Sequence, residues 1–318
     1  MIQNPALADV HVGDEIEGYY LLSDAAVRTS TNGSRFLAAT ISDRSGSLDL
    51  KMWDYAGSIG TDESGSAVRV RGTVSDYRGV KQLTARYLRL AEEKDNVDPE
   101  QLVPTAPMDP GEAVREIRNL MNSLQDEDYR RVAEALFSRN EAQFRTVPAA
   151  KTVHHGFRAG LLMHTVNMLR TADYLAELYC EVINRDLLLA GTLLHDIAKI
   201  REFLLSSLGM VKDYSVEGQL LGHLVMGAQE IAEVAAELNI PQEKSVLLQH
   251  LVLSHHGEPE FGAAVRPMCA EAELLHLIDM MDSRMEIYAE TLQTMPSGSF
   301  SDRIYALEKK IYKPQDMD

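Results

Sequence analysis

Over residues 1–92 apolar and polar positions alternate in short bursts, the period-two pattern of half-buried strands. The segments DEIEGYYLLSDAAVR, RFLAATISD, GSLDLKMWD, SAVRVRGTVSDYRG and VKQLTARYLRLA predict five strands. TNGS, DRSG and YRGV supply the turns between them. So many short strands in so little chain predict a small closed barrel of the OB type; an SH3-like barrel would show nearly the same pattern.

The pattern then lapses. EEKDNVDPEQLVPTAPMDPG holds Pro99, Pro104, Pro107 and Pro110 with little apolar periodicity and predicts an extended linker. Beyond it the period changes. GLLMHTVNMLRTADYLAELY, RDLLLAGTLLHDIAKI, EGQLLGHLVMGAQEIAEVAAEL, EKSVLLQHLVLSHH and CAEAELLHLIDMMDSRMEIYAETL place apolar residues at i, i+3 and i+4, as amphipathic helices do. The closing FSDRIYALEKKIYKP reads as a short amphipathic segment that packs on a neighbour. The expectation is a multi-domain chain: an all-β OB-fold-like barrel over 1–92, a Pro-rich linker over 93–111, and an all-α domain with a C-terminal tail over 112–318.

Composition fits a soluble globular protein, with 45% hydrophobic and 25% charged residues in a chain of 318. No run approaches the roughly 20 apolar residues of a membrane span, and MIQNPALADV lacks the basic and apolar regions of a signal peptide. Cys180 and Cys269 stand far apart with no CxxC, so neither a disulfide framework nor a cysteine zinc site is expected, and a reducing cytoplasm is. The net charge of −17 argues against indiscriminate coating of nucleic acid. Its distribution is uneven, because residues 1–92 carry 10 Lys/Arg against 12 Asp/Glu while the rest carries 21 against 36. Within 68–91, Arg69, Arg71, Arg78, Lys81, Arg86 and Arg89 face one acid, Asp76, which leaves a basic stripe. With Phe36, Trp53, Tyr77 and Tyr87 as stacking candidates, such a barrel would hold a single strand. Tyr77 and Arg78, in an apparent hairpin turn, lead that group.

The chemistry lies further on. Nine of the ten histidines fall in the helical part, and Asp196, Asp279 and Asp282 interrupt its apolar runs. On an ideal helix His195, Asp196 and Lys199 fall within an arc of about 100°, and Asp279 and Asp282 share a face. Imidazole with carboxylate suits Mn, Fe, Co, Ni or Zn. Singly, each residue has an ordinary explanation: a lone helix histidine is usually hydrogen-bonded or half-exposed, and His255-His256 before Gly257 would serve as a helix end. The order is what carries weight, because His164, His195-Asp196, His223, His255-His256 and Asp279 come from five predicted helices, the way helical domains build metal sites.

The series H…HD…H…HH…D resembles the HD-domain phosphohydrolases. With a barrel and linker before HHGFRAGLLMHTVNML, LLHDIAKI, GHLVMGA, LVLSHHG and LIDMMDSRM, almost the whole chain is similar to the YhaM-type 3′–5′ exoribonucleases. That resemblance implies that His164, His195, Asp196 and Asp279 hold one metal, and that Asp196 bridges to a second on His223 and His255, with His256 a further ligand. Asp282 becomes a supporting residue. Lys199 matches a lysine near the scissile phosphate, although a solvated lysine at a helix end would look the same. His154 and His155 line the site or belong to a structural loop; His250 and His276 are expected to be structural. Two cations about 4 Å apart activate a bridging water and neutralise phosphodiester charge. The implied function is hydrolysis of single-stranded RNA, and of DNA as a further substrate, to nucleoside 5′-monophosphates, with manganese preferred. A phosphohydrolase of nucleotides or cyclic dinucleotides, and a non-catalytic single-strand-binding protein, are the alternatives. Apolar helix faces and the tail would permit a homo-oligomer.

Overall fold

Burial alternates along the first five strands as the pattern requires. Ile16, Tyr20 and Leu22 on β1 (Glu15–Thr29) point inward with Leu37 and Ile41 on β2 (Arg35–Asp43). Leu48 and Leu50 on β3 (Gly46–Trp53), Val68, Val70 and Val74 on β4 (Ala67–Tyr77), and Leu83 on β5 (Val80–Leu90) complete one core. The strands close in the order β1-β2-β3-β5-β4. The β3–β5 seam is parallel and the other pairings are antiparallel, so the barrel is OB-fold-like. This computed structural model describes residues 4–77, 79–150, 156–206 and 208–315. It divides into two compact units, 1–105 with 205–212, and 106–204 with 213–318.

The division differs from the expected boundaries in two places. Residues 93–111 do not run as an extended linker. Turns of 3₁₀ helix at Glu93–Asp95 and Pro99–Gln101 fold the chain onto the barrel unit. Asp95 accepts hydrogen bonds from Arg89 at 2.6 Å and the Tyr19 hydroxyl at 2.8 Å. Leu102 and Val103 are buried with Ala67 and Leu208. The prolines set the turns, but an apolar pair among them has burial to gain. Leu208 lies in the second departure, a two-stranded hairpin of β6 (Phe203–Leu205) and β7 (Val211–Tyr214) whose middle belongs to the barrel unit.

The other unit is helical: α1 (Pro110–Asn122), α2 (Glu127–Phe144), α3 (Gly160–Leu178), α4 (Arg185–Leu194), α5 (Lys199–Glu202), α6 (Val216–Leu220), α7 (Gly222–Glu237), α8 (Gln242–Ser254) and α9 (Ala270–Thr294). Among the described residues no helix is long and apolar enough to cross a membrane. At the centre lies α4, RDLLLAGTLL, buried from Asp186 to Leu194. Asn184 caps it by accepting from the Asp186 and Leu187 amides, each at 3.1 Å. Gly191 allows α8 to approach closely, because a Cβ there would lie 2.2 Å from Leu251 Cδ2. The closing segment folds back on α9 through strands Ser299–Phe300 and Tyr312–Lys313, burying Leu307 and Ile311 against Ile287.

Gly191→Ala should therefore force α4 and α8 apart and cost about 1–3 kcal/mol, as overpacking does. A urea midpoint equal to wild type would show that this close approach is not structural.

Candidate metal centre

Five elements deliver side chains to one buried place. His164 comes from α3, and His195 and Asp196 from the turns immediately after α4. His223 sits at the start of α7, His255 and His256 follow the end of α8, and Asp279 lies mid-way along α9. Asp196 is at the middle. Its Oδ2 lies 3.3 Å from His195 Nε2 and 3.9 Å from His164 Nε2. Its Oδ1 faces the other way, 3.4 Å from His223 Nε2 and 3.6 Å from His255 Nε2. Asp279 Oδ1 is 3.3 Å from His164 Nε2, which is itself 3.3 Å from His195 Nε2. The His256 ring lies against His223 and His255, with centroids 5.2 and 4.4 Å away.

Four of the imidazoles are held from behind. His195 Nδ1 donates to the Thr192 carbonyl at 2.8 Å, and His255 Nδ1 to that of Val252 at 2.7 Å. His223 Nδ1 donates to Glu202 at 3.0 Å and His164 Nδ1 to Asp282 at 2.7 Å. Each bond fixes the ring and turns Nε2 inward, toward the Asp196 and Asp279 carboxylates.

Electrostatics follow from this crowding. Burial pushes the Asp196 carboxyl up, but the Lys199 ammonium at 2.7 Å and the imidazole of His195 hold it well below the usual carboxylate range. Burial also pulls His164 down, yet hydrogen bonds to Asp279 and Asp282 prevail and raise it to about 9. His256 falls to about 4 through burial and the neighbouring His223. His255 is lowered well below its ordinary value by burial, then by His195 and His256. Three buried polar atoms among the described residues, Asp196 Oδ1, His223 Nε2 and His256 Nδ1, have no hydrogen-bond partner. A buried carboxylate oxygen in that condition is costly. Donors that share a cation at about 2.1 Å lie roughly 3.0–3.4 Å apart, close to the spacings found here. Two groups, His164 with His195 and Asp196, and His223 with His255 and His256, each bring three donor atoms within 4.8 Å of one another. The residues fit divalent cations.

The HD domain family model matches residues 161–284, the span that carries these side chains. The 3′-5′ exoribonuclease YhaM of Bacillus subtilis (strain 168) is 37% identical over 305 residues, covering 95% of this chain and 96% of its own. That of Geobacillus sp. (strain WCH70) is 39% identical over 308 residues, covering 95% and 93%. This chain belongs to the YhaM family. It is a hydrolase of the HD type. The YhaM protein of Listeria innocua is similar over 97% of this chain, at 36% identity.

In this YhaM-family centre several residues lie where their sequence did not place them. Glu202, which orients His223 through both the ring and the backbone amide, is not marked out by the pattern of the sequence. Its signal was an acid three residues after Lys199 on a short helix. His276, expected to be structural, donates from Nδ1 to the His255 carbonyl at 2.9 Å and lines the cavity beside the centre. Its ring lies against Gly257, where a Cβ would be 2.4 Å from it. His154 and His155 lie outside the described residues.

On the barrel the basic stripe is largely spent. Arg69 pairs with Glu17 at 2.6 Å, Arg86 with Glu15 at 3.2 Å and Arg89 with Asp95 at 2.6 Å. Lys81 donates to the Val10 carbonyl at 2.7 Å. Arg71 is exposed and makes no ion pair among the described residues, while Arg78 lies outside them. The aromatics are better placed. Trp53 is 47% exposed and its ring centroid lies 4.9 Å from that of Phe36 on the paired strand. Lys51, two residues before Trp53 and so on the same face, lies over the exposed Tyr77 ring at 4.5 Å. Lys51 was not among the expected contacts.

The buried neutral imidazoles set a pH dependence. His255 and His256 bind protons more weakly folded than unfolded, where about 6.5 is usual, so metal-free protein loses stability as pH falls from about 6.5 to about 4. His164 has the opposite sign: its contribution is complete below about 6.5, is lost as pH rises through about 9, and is constant over the acid window. Urea midpoints of chelator-treated protein should decline across that window, and less steeply for His256→Gln. An equal slope in the variant would refute this origin.

Proposed function

We propose that this chain is a metal-dependent 3′–5′ exoribonuclease that trims single-stranded RNA, and DNA as a further substrate, to nucleoside 5′-monophosphates. The observation that carries it is the division of Asp196, one oxygen toward His164 and His195, the other toward His223 and His255. In this reading His164, His195, Asp196 and Asp279 hold one divalent cation. Asp196, His223, His255 and His256 hold a second, with manganese preferred. When bound, such cations acidify water and neutralise phosphodiester charge.

The side chains do the rest. To serve as a ligand His164 would release to solvent the Nε2 proton that Asp279 stabilises on it, while Asp282 and Glu202 keep the imidazoles aimed inward. Lys199, kept cationic by Asp196 against the pull of burial, meets the charge that develops on the phosphate. On the barrel, Phe36, Trp53 and Tyr77 would stack bases while Lys51, Arg71, Arg78 and Lys81 follow the backbone; Arg69 is committed to Glu17 and contributes less. The 3′–5′ polarity and the RNA substrate are supported by the names of the relatives, and a cytoplasmic site of action accords with that substrate.

With Mn²⁺, 5′-labelled single-stranded RNA should shorten progressively from its 3′ end. His195→Ala should slow this at least about 100-fold, since even residues that merely orient metal ligands contribute 10–100-fold. Intact RNA, or a variant as active as wild type, would refute the reading.

A further inference from the structure

One cavity, about 370 Å³ in volume, opens onto the candidate centre. That is near the lower end of the range for small-molecule sites, about 300–1,000 Å³. Its inner end carries His164, Lys199 and Asp279, and its outer end carries groups of different chemistry. Phe261 lines it while remaining 73% exposed, and Met280 lines it at 39%. Arg284, five residues beyond Asp279 on α9, is exposed on the same cavity, and its guanidinium makes no ion pair or hydrogen bond among the described residues. Ala306, from the segment that folds back on α9, also borders the cavity.

The exposed ring is not on a loose loop. Pro259 starts the 3₁₀ turn Pro259–Phe261, and the Phe261 amide donates to the Glu258 carbonyl at 2.9 Å. Glu258 is held by Arg266 at 2.7 Å, and the Ala264 amide donates to Leu253 on α8 at 2.9 Å. The turn thus presents a large apolar ring to water at a fixed position, where its burial by a ligand would be favourable. A metal-binding wall continuous with an aromatic ring, a thioether and a guanidinium matches the phosphate, base and sugar of one nucleotide.

We propose that this cavity is the subsite for the 3′-terminal nucleotide, with Phe261 and Met280 as the surface for its base and Arg284 donating to its ribose oxygens. The assignment rests on the exoribonuclease reading for the word terminal, and on the cavity alone for the word nucleotide. Base stacking on an aromatic side chain is a large, sequence-tolerant contribution. The subsite therefore accepts all four bases and discriminates against a residue without one.

Calorimetric titration of the Mn²⁺-loaded full chain with adenosine 5′-monophosphate and with ribose 5-phosphate tests this. Wild type should bind the nucleotide roughly tenfold more tightly. Phe261→Ala should bring the ratio close to one, and Phe261→Trp should preserve it. Arg284→Met should weaken both ligands by a similar factor and leave the ratio intact. Equal affinities in wild type, or an unchanged ratio in Phe261→Ala, would overturn the subsite. If the ratios behave as stated while 5′-labelled RNA stays intact, the exoribonuclease reading fails and the nucleotide site stands.

Discussion

A carboxylate that is 3% exposed at the centre of a helical bundle is the constraint around which this molecule is arranged. Removing such a charge from water costs several kcal/mol unless cations and hydrogen-bond donors surround it. Asp196 draws Lys199 directly, and it draws the inward Nε2 atoms of His164, His195, His223 and His255. Each of those side chains stands on or beside a helix whose own packing then has to converge. The buried, leucine-rich α4 and the Gly191–Leu251 approach are the means: they bring the ends of α4 and α8 together, and with them His195 and His255.

A second layer makes the first one rigid. Thr192 and Val252 use main-chain carbonyls, and Glu202 and Asp282 use carboxylates, to hold four Nδ1 atoms. Rings fixed in this way lose little freedom when they take a ligand, so the arrangement is preorganised for a cation. The barrel unit solves a different problem. Its inward positions are spent on a core, and three arginines of its basic stripe, Arg69, Arg86 and Arg89, are paired with neighbouring acids. Its surface presents the Trp53 and Tyr77 rings beside cations such as Lys51 and Arg71.

The legibility of these features in the sequence follows from how local each one is. The order His164, His195-Asp196, His223, His255-His256, Asp279 could be read because every member stands on or beside a helix with a plain apolar stripe. Strand alternation exposed the barrel for the same reason. Partners distant in sequence were invisible. The basic stripe seemed unopposed because Glu15 and Glu17 lie on β1, more than 50 residues from the arginines they neutralise. The prolines of 93–111 concealed the burial of Leu102 and Val103. Nothing periodic marks three- and four-residue strands, so the β6–β7 hairpin passed unnoticed. That His276 is tied to the His255 carbonyl could not be read, because no side-chain pattern reveals a main-chain partner.

The central claim is that Asp196 serves two cation sites at once. The most direct measurement is metal content by elemental analysis after loading with Mn²⁺ and removal of the free ion. Two ions per chain in wild type, falling to one or none in Asp196→Ala, is the predicted result. Wild type without metal, or a variant that retains two ions, would contradict it.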